Sequence, residues 1–331
     1  MSIVYKILMF FLLFQVLVVG SSSKINAEEN FETWLSSYKN FAFKKGISQK
    51  TIDIAFKNVK FLEQVIKYDR KQPEFFEDTI TYVEKRANIS RVKTARKLLR
   101  KNKALFSEVE NDFLVEKEIL LALWGIETNF GKHVGKMDII SSLATLSYDK
   151  RRRDFFSSQL LTLLRLIDKK LINPNTLYGS WAGAYGNFQF MPSSIERYAI
   201  DYDNNNKIEL KSSLDDSLAS AANYINSIGW KRGQPCFFRV KLTNNIKEKY
   251  INSSARTISN RLKIQKWKKK GVINFDGTDL KTNLKAALIL PDGKPDTPAF
   301  LVFENYEKIL KWNRSLRFGI SVCTLANMIK I

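Results

Sequence analysis

Histidine occurs once in the 331 residues, at His133, and cysteine twice, at Cys236 and Cys323. A single imidazole with no closely spaced cysteine pair cannot assemble a His/Cys zinc site, and it offers no convincing Ser-His-Asp triad. Two cysteines are not a disulfide framework. They are able to pair in an oxidising compartment, but the expectation is of two free, buried thiols. No cysteine lies near the end of the N-terminal apolar run, which excludes a lipid-modified N-terminal cysteine. Internal repeats and low-complexity linkers are also missing, so neither a solenoid nor an array of tethered modules fits.

Positive charge is abundant. Lysine and arginine number 54 against 33 acidic residues, a formal net charge of +21, and such an excess favours an anionic partner. Lys6 precedes an apolar run over residues 7–19, followed by the small, polar stretch 20–23. Thirteen helical residues rise only about 20 Å, short of a hydrocarbon core of about 30 Å, so residues 1–27 read as a secretory signal, cleaved after Gly20 or Ala27. The alternative is an uncleaved anchor. Export makes chromosomal DNA an improbable partner and no nucleic-acid-binding motif is present, which leaves the cell wall or the outer-membrane surface.

Residues from about 31 to 168 read as successive amphipathic helices with short polar joints, one break falling at Pro73. A polar, Gly/Pro-punctuated segment follows over 173–194, and helical pattern returns at 217–228, stopped by Gly229. Residues 237–242 alternate like a strand, and the apolar run 286–290 is closed by Pro291-Asp292-Gly293. Helical pattern resumes from 304. The chain is therefore expected to be mainly α (α+β). After the signal comes one unit, 28–331, comprising a helical lobe (28–115), a core (116–232), a small α+β subdomain (233–300) and a C-terminal helical segment (301–331).

In EILLALWGIE (118–127), Leu120, Leu123, Trp124 and Glu127 fall on one face at helical spacing. Glu127 thus stands where the pattern asks for a buried residue, beside a helix end signalled by Gly131. Burial and the negative end of the helix dipole both disfavour a carboxylate, and a protonated carboxyl is what a general acid requires. The other reading is a partly exposed glutamate in a salt bridge. The segment GSWAGAYGNFQFMPSS (179–194) allows close backbone approach and offers Ser180 and Gln189 as neutral hydrogen-bonding groups, with Trp181, Tyr185 and Phe188 as stacking faces. It suits a sugar site or a tightly packed turn equally. It contains no carboxylate, so it supplies no second acid for a two-carboxylate glycosidase.

Six motifs in order, DRKQPEF (69–75), WGIETNFG (124–131), LATLSYDKRRRDFF (143–156), GSWAGAYGNFQFMPSSIERYAID (179–201), LASAANYI (218–225) and KWNRS (311–315), resemble the lytic murein transglycosylases of the membrane-bound B type. The resemblance covers most of the chain from about Trp34. It implies a lysozyme-like helical catalytic core and non-hydrolytic cleavage of the β-1,4 bond between N-acetylmuramic acid and N-acetylglucosamine, leaving 1,6-anhydromuramoyl ends. Glu127 matches the family's single acid/base, and the substrate's own N-acetyl group would stabilise the intermediate. Ser180, Gln189, Tyr82, Arg152, Arg153, Tyr224, Trp312 and Asn313 match glycan-contact positions. The bland alternatives are a core aromatic for Tyr224 and a solvated basic face for Arg152 and Arg153. Where the family has a tyrosine-asparagine pair and a further tyrosine, this chain has Trp312, Asn313 and Phe318, the last without a hydroxyl.

Some relatives bind calcium in an EF-hand-like loop, and the matching positions here are Asp201, Asp203, Asn205, Lys207 and, further on, Asp216. Asparagines replace the glycines expected there, and an ordinary Asn-rich turn is the competing reading. No cofactor is required for the chemistry, with structural calcium an optional addition. The expected partners are peptidoglycan strands and cell-wall synthesis or division proteins. A periplasmic monomer is expected, not a lipoprotein. Two other functions remain open: a muramidase hydrolase using Asp149 or Asp154 as second carboxylate, and a catalytically silent wall-binding scaffold.

Overall fold

The computed structural model describes residues 30–71 and 76–330. The signal segment, the break at Pro73, and the last four residues of the DRKQPEF motif lie outside them.

The helical pattern of the first half becomes α1 (Phe31–Lys44), α2 (Gln49–Phe56), α3 (Glu63–Arg70), α4 (Thr79–Arg86), α5 (Ile89–Lys101), α6 (Lys103–Phe113), α7 (Lys117–Thr128), α8 (Ile139–Tyr148) and α9 (Arg153–Asp168). Their starts are written locally. The side chains of Asn30, Ser48, Asp78, Asn88 and Asp138 each accept the backbone N–H three residues on, satisfying a donor that the helix leaves unpaired. After a loop come α10 (Pro192–Tyr198) and α11 (Leu214–Ser227), and the chain closes with α13 (Glu304–Trp312) and α14 (Leu316–Lys330), α12 (Ile264–Lys268) being a short helix in the sheet region.

Helix α7 is the axis of the molecule. Every residue from Ile119 to Gly125 is buried, because the helix is apolar on all sides and α5, α6, α11 and α14 surround it. It ends in three consecutive left-handed residues, Asn129, Phe130 and Gly131. They turn the Phe130 ring back over the helix. A Cβ at Gly125 would lie 2.7 Å from Phe130 Cζ, so this return depends on the missing side chain.

A two-stranded ribbon pairs β1 (Met137–Asp138) with β2 (Tyr178–Gly179), and the small sheet has strands β3 (Phe237–Leu242), β4 (Ile251–Asn252), β5 (Leu262–Lys263), β6 (Val272–Asn274), β7 (Lys285–Ile289) and β8 (Ala299–Val302), in order β4-β7-β8-β3-β6, with β5 also pairing β7. All pairs are antiparallel except β4 with β7. The apolar run at 286–290 is explained by burial on both faces. Ala286, Leu288 and Leu290 join Val240, Trp267 and Leu301 in a local core, whereas Ala287 and Ile289, with Phe300 and Val302, face the helical body. Asp292, in the turn after β7, accepts from Thr79 N and Oγ1 at the start of α4 and from the Arg317 guanidinium on α14, tying the sheet to the helices.

One expectation is overturned here. Cys236 and Cys323 are not free thiols: they form a disulfide between the start of β3 and the middle of α14, with Cα atoms 6.1 Å apart. Eighty-seven residues separate them in sequence, so only the folding of the sheet against α14 brings them together.

Candidate active site

Glu127 sits in the last turn of α7, half-buried, at the point where the helix gives way to the left-handed turn. Thr128, the next residue, donates its hydroxyl to the carbonyl of Asn187 at 2.7 Å, which docks the glycine-rich segment onto the end of α7. That segment is a tight turn built by its own side chains. Ser180 Oγ accepts the N–H groups of Ala182 and Ala184 at 3.3 and 2.9 Å. Gln189, in left-handed conformation, donates its amide to the carbonyls of Gly186 and Val134 at 2.9 and 3.2 Å. A Cβ at Gly179 would fall 2.1 Å from the Ala184 carbonyl oxygen, so glycine is obligatory there. The packed-turn reading of this segment is therefore realised, and it places Ser180 and Gln189 on a rigid frame fixed to the helix that carries Glu127.

The third component arrives from the far end of the chain. Trp312, the last residue of α13, donates its indole N–H to Glu127 Oε1 at 2.9 Å. Its ring is held in an aromatic cluster: Tyr224 stacks on it at 4.8 Å and 23°, Tyr198 stacks on Tyr224 at 4.3 Å and 5°, and Phe190 and Phe188 meet it edge-on. Phe188 in turn stacks on Trp124 of α7. The Tyr224 hydroxyl donates to the Lys311 carbonyl at 3.2 Å, and burial, with the parallel Tyr198 phenol next, pushes the Tyr224 phenol up, so it remains a neutral donor. An ordered carboxyl beside a wall of aromatic faces and neutral donors is chemically suited to a sugar chain.

The remaining predicted residues are fixed by contacts of their own. Tyr82 is 1% exposed, with the Arg86 guanidinium over its ring at 3.4 Å. Arg152 is engaged by Asp69 and lies over the Phe156 ring, and Arg153 donates to the Tyr148 carbonyl at 2.7 Å. Asp69 is buried among Arg70, Arg151 and Arg152. Burial alone would raise its carboxyl, but the hydrogen bonds and charges of Arg151 and Arg152 outweigh that and hold it below the usual range. Asn313 follows Trp312 and closes α13 with its backbone N–H on the Ile309 carbonyl. Phe318 is buried in α14. Sequence reasoning missed Asp69 with Arg151, although both lie in quoted motifs, and it missed Tyr198 and Phe190 as partners of the stack. Of the candidate second carboxylates, Asp149 is paired with Arg70 at 2.8 Å and Asp154 is exposed.

In the loop between α10 and α11 and at the start of α11, carboxylate oxygens of Asp201, Asp203 and Asp216 lie within 4.8 Å of one another. Asp216 is fully buried and accepts the N–H groups of Tyr202 and Glu209, both at 2.8 Å. Asn205 accepts from Lys207 N at 2.9 Å. Desolvation, and the like charges of Asp216 and Asp201, raise the Asp203 carboxyl. Asn204 and Asn206 adopt the left-handed backbone at the turn, as asparagine tolerates.

The family model for the transglycosylase SLT domain matches residues 30–327. Over 142 residues, 41% of the chain, the sequence is 38% identical to the membrane-bound lytic murein transglycosylase B of Escherichia coli (strain K12), and the match spans only 39% of that relative. The structure is similar to SltB3 from Pseudomonas aeruginosa in complex with NAG-NAM-pentapeptide, with a TM-score of 0.82 and 34% identity over 91% of this chain and 80% of that one. It also shares its fold with the Escherichia coli lytic transglycosylase Slt35 in complex with calcium, at a TM-score of 0.75 and 24% identity over 89% and 92% of the two chains.

Proposed function

Because the chain belongs to the transglycosylase SLT domain family, we propose that it is a lytic murein transglycosylase in which Glu127 is the only acid/base. The observation that carries this reading is the Glu127 carboxyl at the end of α7, hydrogen-bonded by Trp312 and bordered by the Tyr198, Tyr224 and Trp312 stack. In the reaction, protonated Glu127 gives its proton to the glycosidic oxygen as the bond to the muramoyl C1 breaks. The resulting carboxylate takes the proton of the muramoyl C6 hydroxyl as that oxygen closes on C1. The substrate's acetamido group stabilises the intermediate, so no second carboxylate is called for. SltB3 has been crystallised with NAG-NAM-pentapeptide and with NAG-anhNAM-pentapeptide, and the anhydro sugar of the second is the kind of end this chemistry would leave.

Ser180, Gln189, Tyr224 and Asn313 would line the glycan path in this reading, with Arg152, which Asp69 holds, Arg153 and Tyr82 as further contacts. The clustered carboxylates of Asp201, Asp203 and Asp216 suit a hard cation such as calcium, with the Asn205 amide oxygen and the Lys207 carbonyl as the further ligands the loop pattern would supply. The ion would neutralise three crowded carboxylates and brace the loop against α11, with no part in bond cleavage. The apolar segment 7–19 would export the enzyme to the periplasm, where the positive charge suits the anionic wall.

The test is mass spectrometry of muropeptides released from purified peptidoglycan by the wild type and by Glu127→Gln. Anhydromuropeptides from the wild type and none from the variant are expected. Reducing-end products, heavier by one water, would identify a hydrolase; no release by either protein, with binding intact, would identify a scaffold.

A further inference from the structure

Arg91 stands in the first turn of α5, its backbone N–H taken by the Asn88 cap. A cation there lies at the positive end of its own helix dipole, where it is disfavoured. The residue is half-buried, and no carboxylate of the described residues forms an ion pair with it; burial, and then the like charge of Arg86, push its guanidinium below the ordinary arginine value. A half-buried cation without a counter-ion needs another source of negative potential.

That source is a pair of carbonyls. Arg91 Nε donates to Gly125 O at 3.1 Å, and a terminal nitrogen of the same guanidinium donates to Lys85 O at 2.7 Å. Lys85 is in the last turn of α4, and Gly125 is in the last turn of α7. The final carbonyls of a helix have no donors within it and carry together about half a negative charge, so the two ends offset about one unit charge between them. Helix α4 carries Tyr82 and α7 carries Glu127. The other donors at the end of α7 belong to the turn itself: Asn129 N shares Gly125 O at 3.1 Å, and Phe130 N and Thr128 Oγ1 take Trp124 O at 3.2 and 3.3 Å. Arg91 instead comes from a separate helix. That helix is anchored in turn, because Arg96 donates to the Met328 and Ile329 carbonyls of α14 at 2.8 and 3.1 Å.

Resting on the reaction set out under Proposed function, we propose that Arg91 is a positioning residue whose guanidinium brackets the C-terminal ends of α4 and α7, fixing where the Glu127 carboxyl stands relative to Tyr82 and the sugar between them. It takes no part in the proton transfers. Its planar fork sets the spacing of the two helix ends, and its charge holds both ends to it.

The experiment measures initial rates of muropeptide release over a range of peptidoglycan concentrations with the full chain, for wild type, Glu127→Gln, Arg91→Ala and Arg91→Lys. Each rate is divided by the folded fraction read from circular dichroism at the assay temperature. A misplacement of about 1 Å costs up to about a hundredfold, so Arg91→Ala should lose roughly ten- to a hundredfold in kcat per folded molecule. KM should stay within about threefold, because Ser180 and Gln189 are tied to α7 by the separate bond from Thr128 to Asn187. Guanidinium ion, well below denaturing concentration, should restore part of the lost rate, and urea, its neutral counterpart of the same shape, should not. Arg91→Lys keeps the charge but replaces the fork with a point donor, so it should fold like wild type and still lose about tenfold in kcat. It carries the test if Arg91→Ala does not fold. A merely structural role would lower the thermal midpoint and leave kcat per folded molecule unchanged. Wild-type kcat in either variant, or a loss in Arg91→Ala that guanidinium leaves untouched, overturns the proposal while an inactive Glu127→Gln keeps the reaction standing. Activity in Glu127→Gln overturns the underlying reaction and this proposal together.

Discussion

Replacing both Cys236 and Cys323 with serine, or reducing the bond between them, releases a loop of 87 residues in the unfolded chain. The chain-entropy relation gives about 4.6 kcal/mol for a closed loop of that length. The bond joins β3 to α14, the helix that packs along α7, so the loss bears on the contact between the sheet and the helical body. For a chain of this size it corresponds to a fall in the thermal midpoint of about 10 °C. Scanning calorimetry of the oxidised wild type, the reduced wild type and the double serine variant measures it. The reduced and serine forms should agree with each other and lie well below the oxidised form. Midpoints coinciding within about 2 °C in all three would refute the loop argument, since they would mean that β3 and α14 are held equally close in the unfolded ensemble without the bond.

Gly125→Ala sets a Cβ 2.7 Å from Phe130 Cζ and should cost about 1–3 kcal/mol, with muropeptide release reduced because the turn carrying Glu127 must shift; thermal unfolding and the release assay read the two effects. The Asp69 carboxyl is held below its ordinary value, so its contribution to stability is present above the unfolded value near 3.8 and is lost as pH falls through the lower folded value. Denaturation between pH 5 and 2 should show a steeper loss for the wild type than for Asp69→Asn, and parallel curves would count against the arginine cluster as its cause. Added calcium should raise the thermal midpoint, by about 2.7 kcal/mol of stabilisation at a hundred times Kd. Asp203→Asn should abolish most of that rise, and a midpoint indifferent to calcium in the wild type would remove the ion from the account.

How much of this was legible beforehand depended on how far along the chain the interacting groups lie. Helix α7 was readable because its signals are local: apolar residues at helical spacing from Leu120 and a stop at Gly131, close to the observed Lys117–Thr128. The strand expected at 237–242 is β3, Phe237–Leu242, for the same reason, alternation being a property of neighbours. The helix expected from 304 onward is broken at 313–315 into α13 and α14, and that break puts Trp312 at a helix end where its indole reaches Glu127.

Sequence alone therefore determined that the protein is mainly helical, that Glu127 occupies a buried-patterned position beside a helix end, and that one histidine with two distant cysteines supplies too few ligands for a His/Cys zinc site. Only the tertiary structure decided which partners these residues meet: Trp312 with Glu127 across 185 residues, Arg151 with Asp69 across 82, Cys323 with Cys236 across 87. Periodicity and capping are settled within a turn or two of chain and leave a trace in every short window. A long-range pair leaves none, because its loop-closure entropy is offset only when whole faces pack at once, and the residues that meet are those the packed faces happen to bring to their common edge.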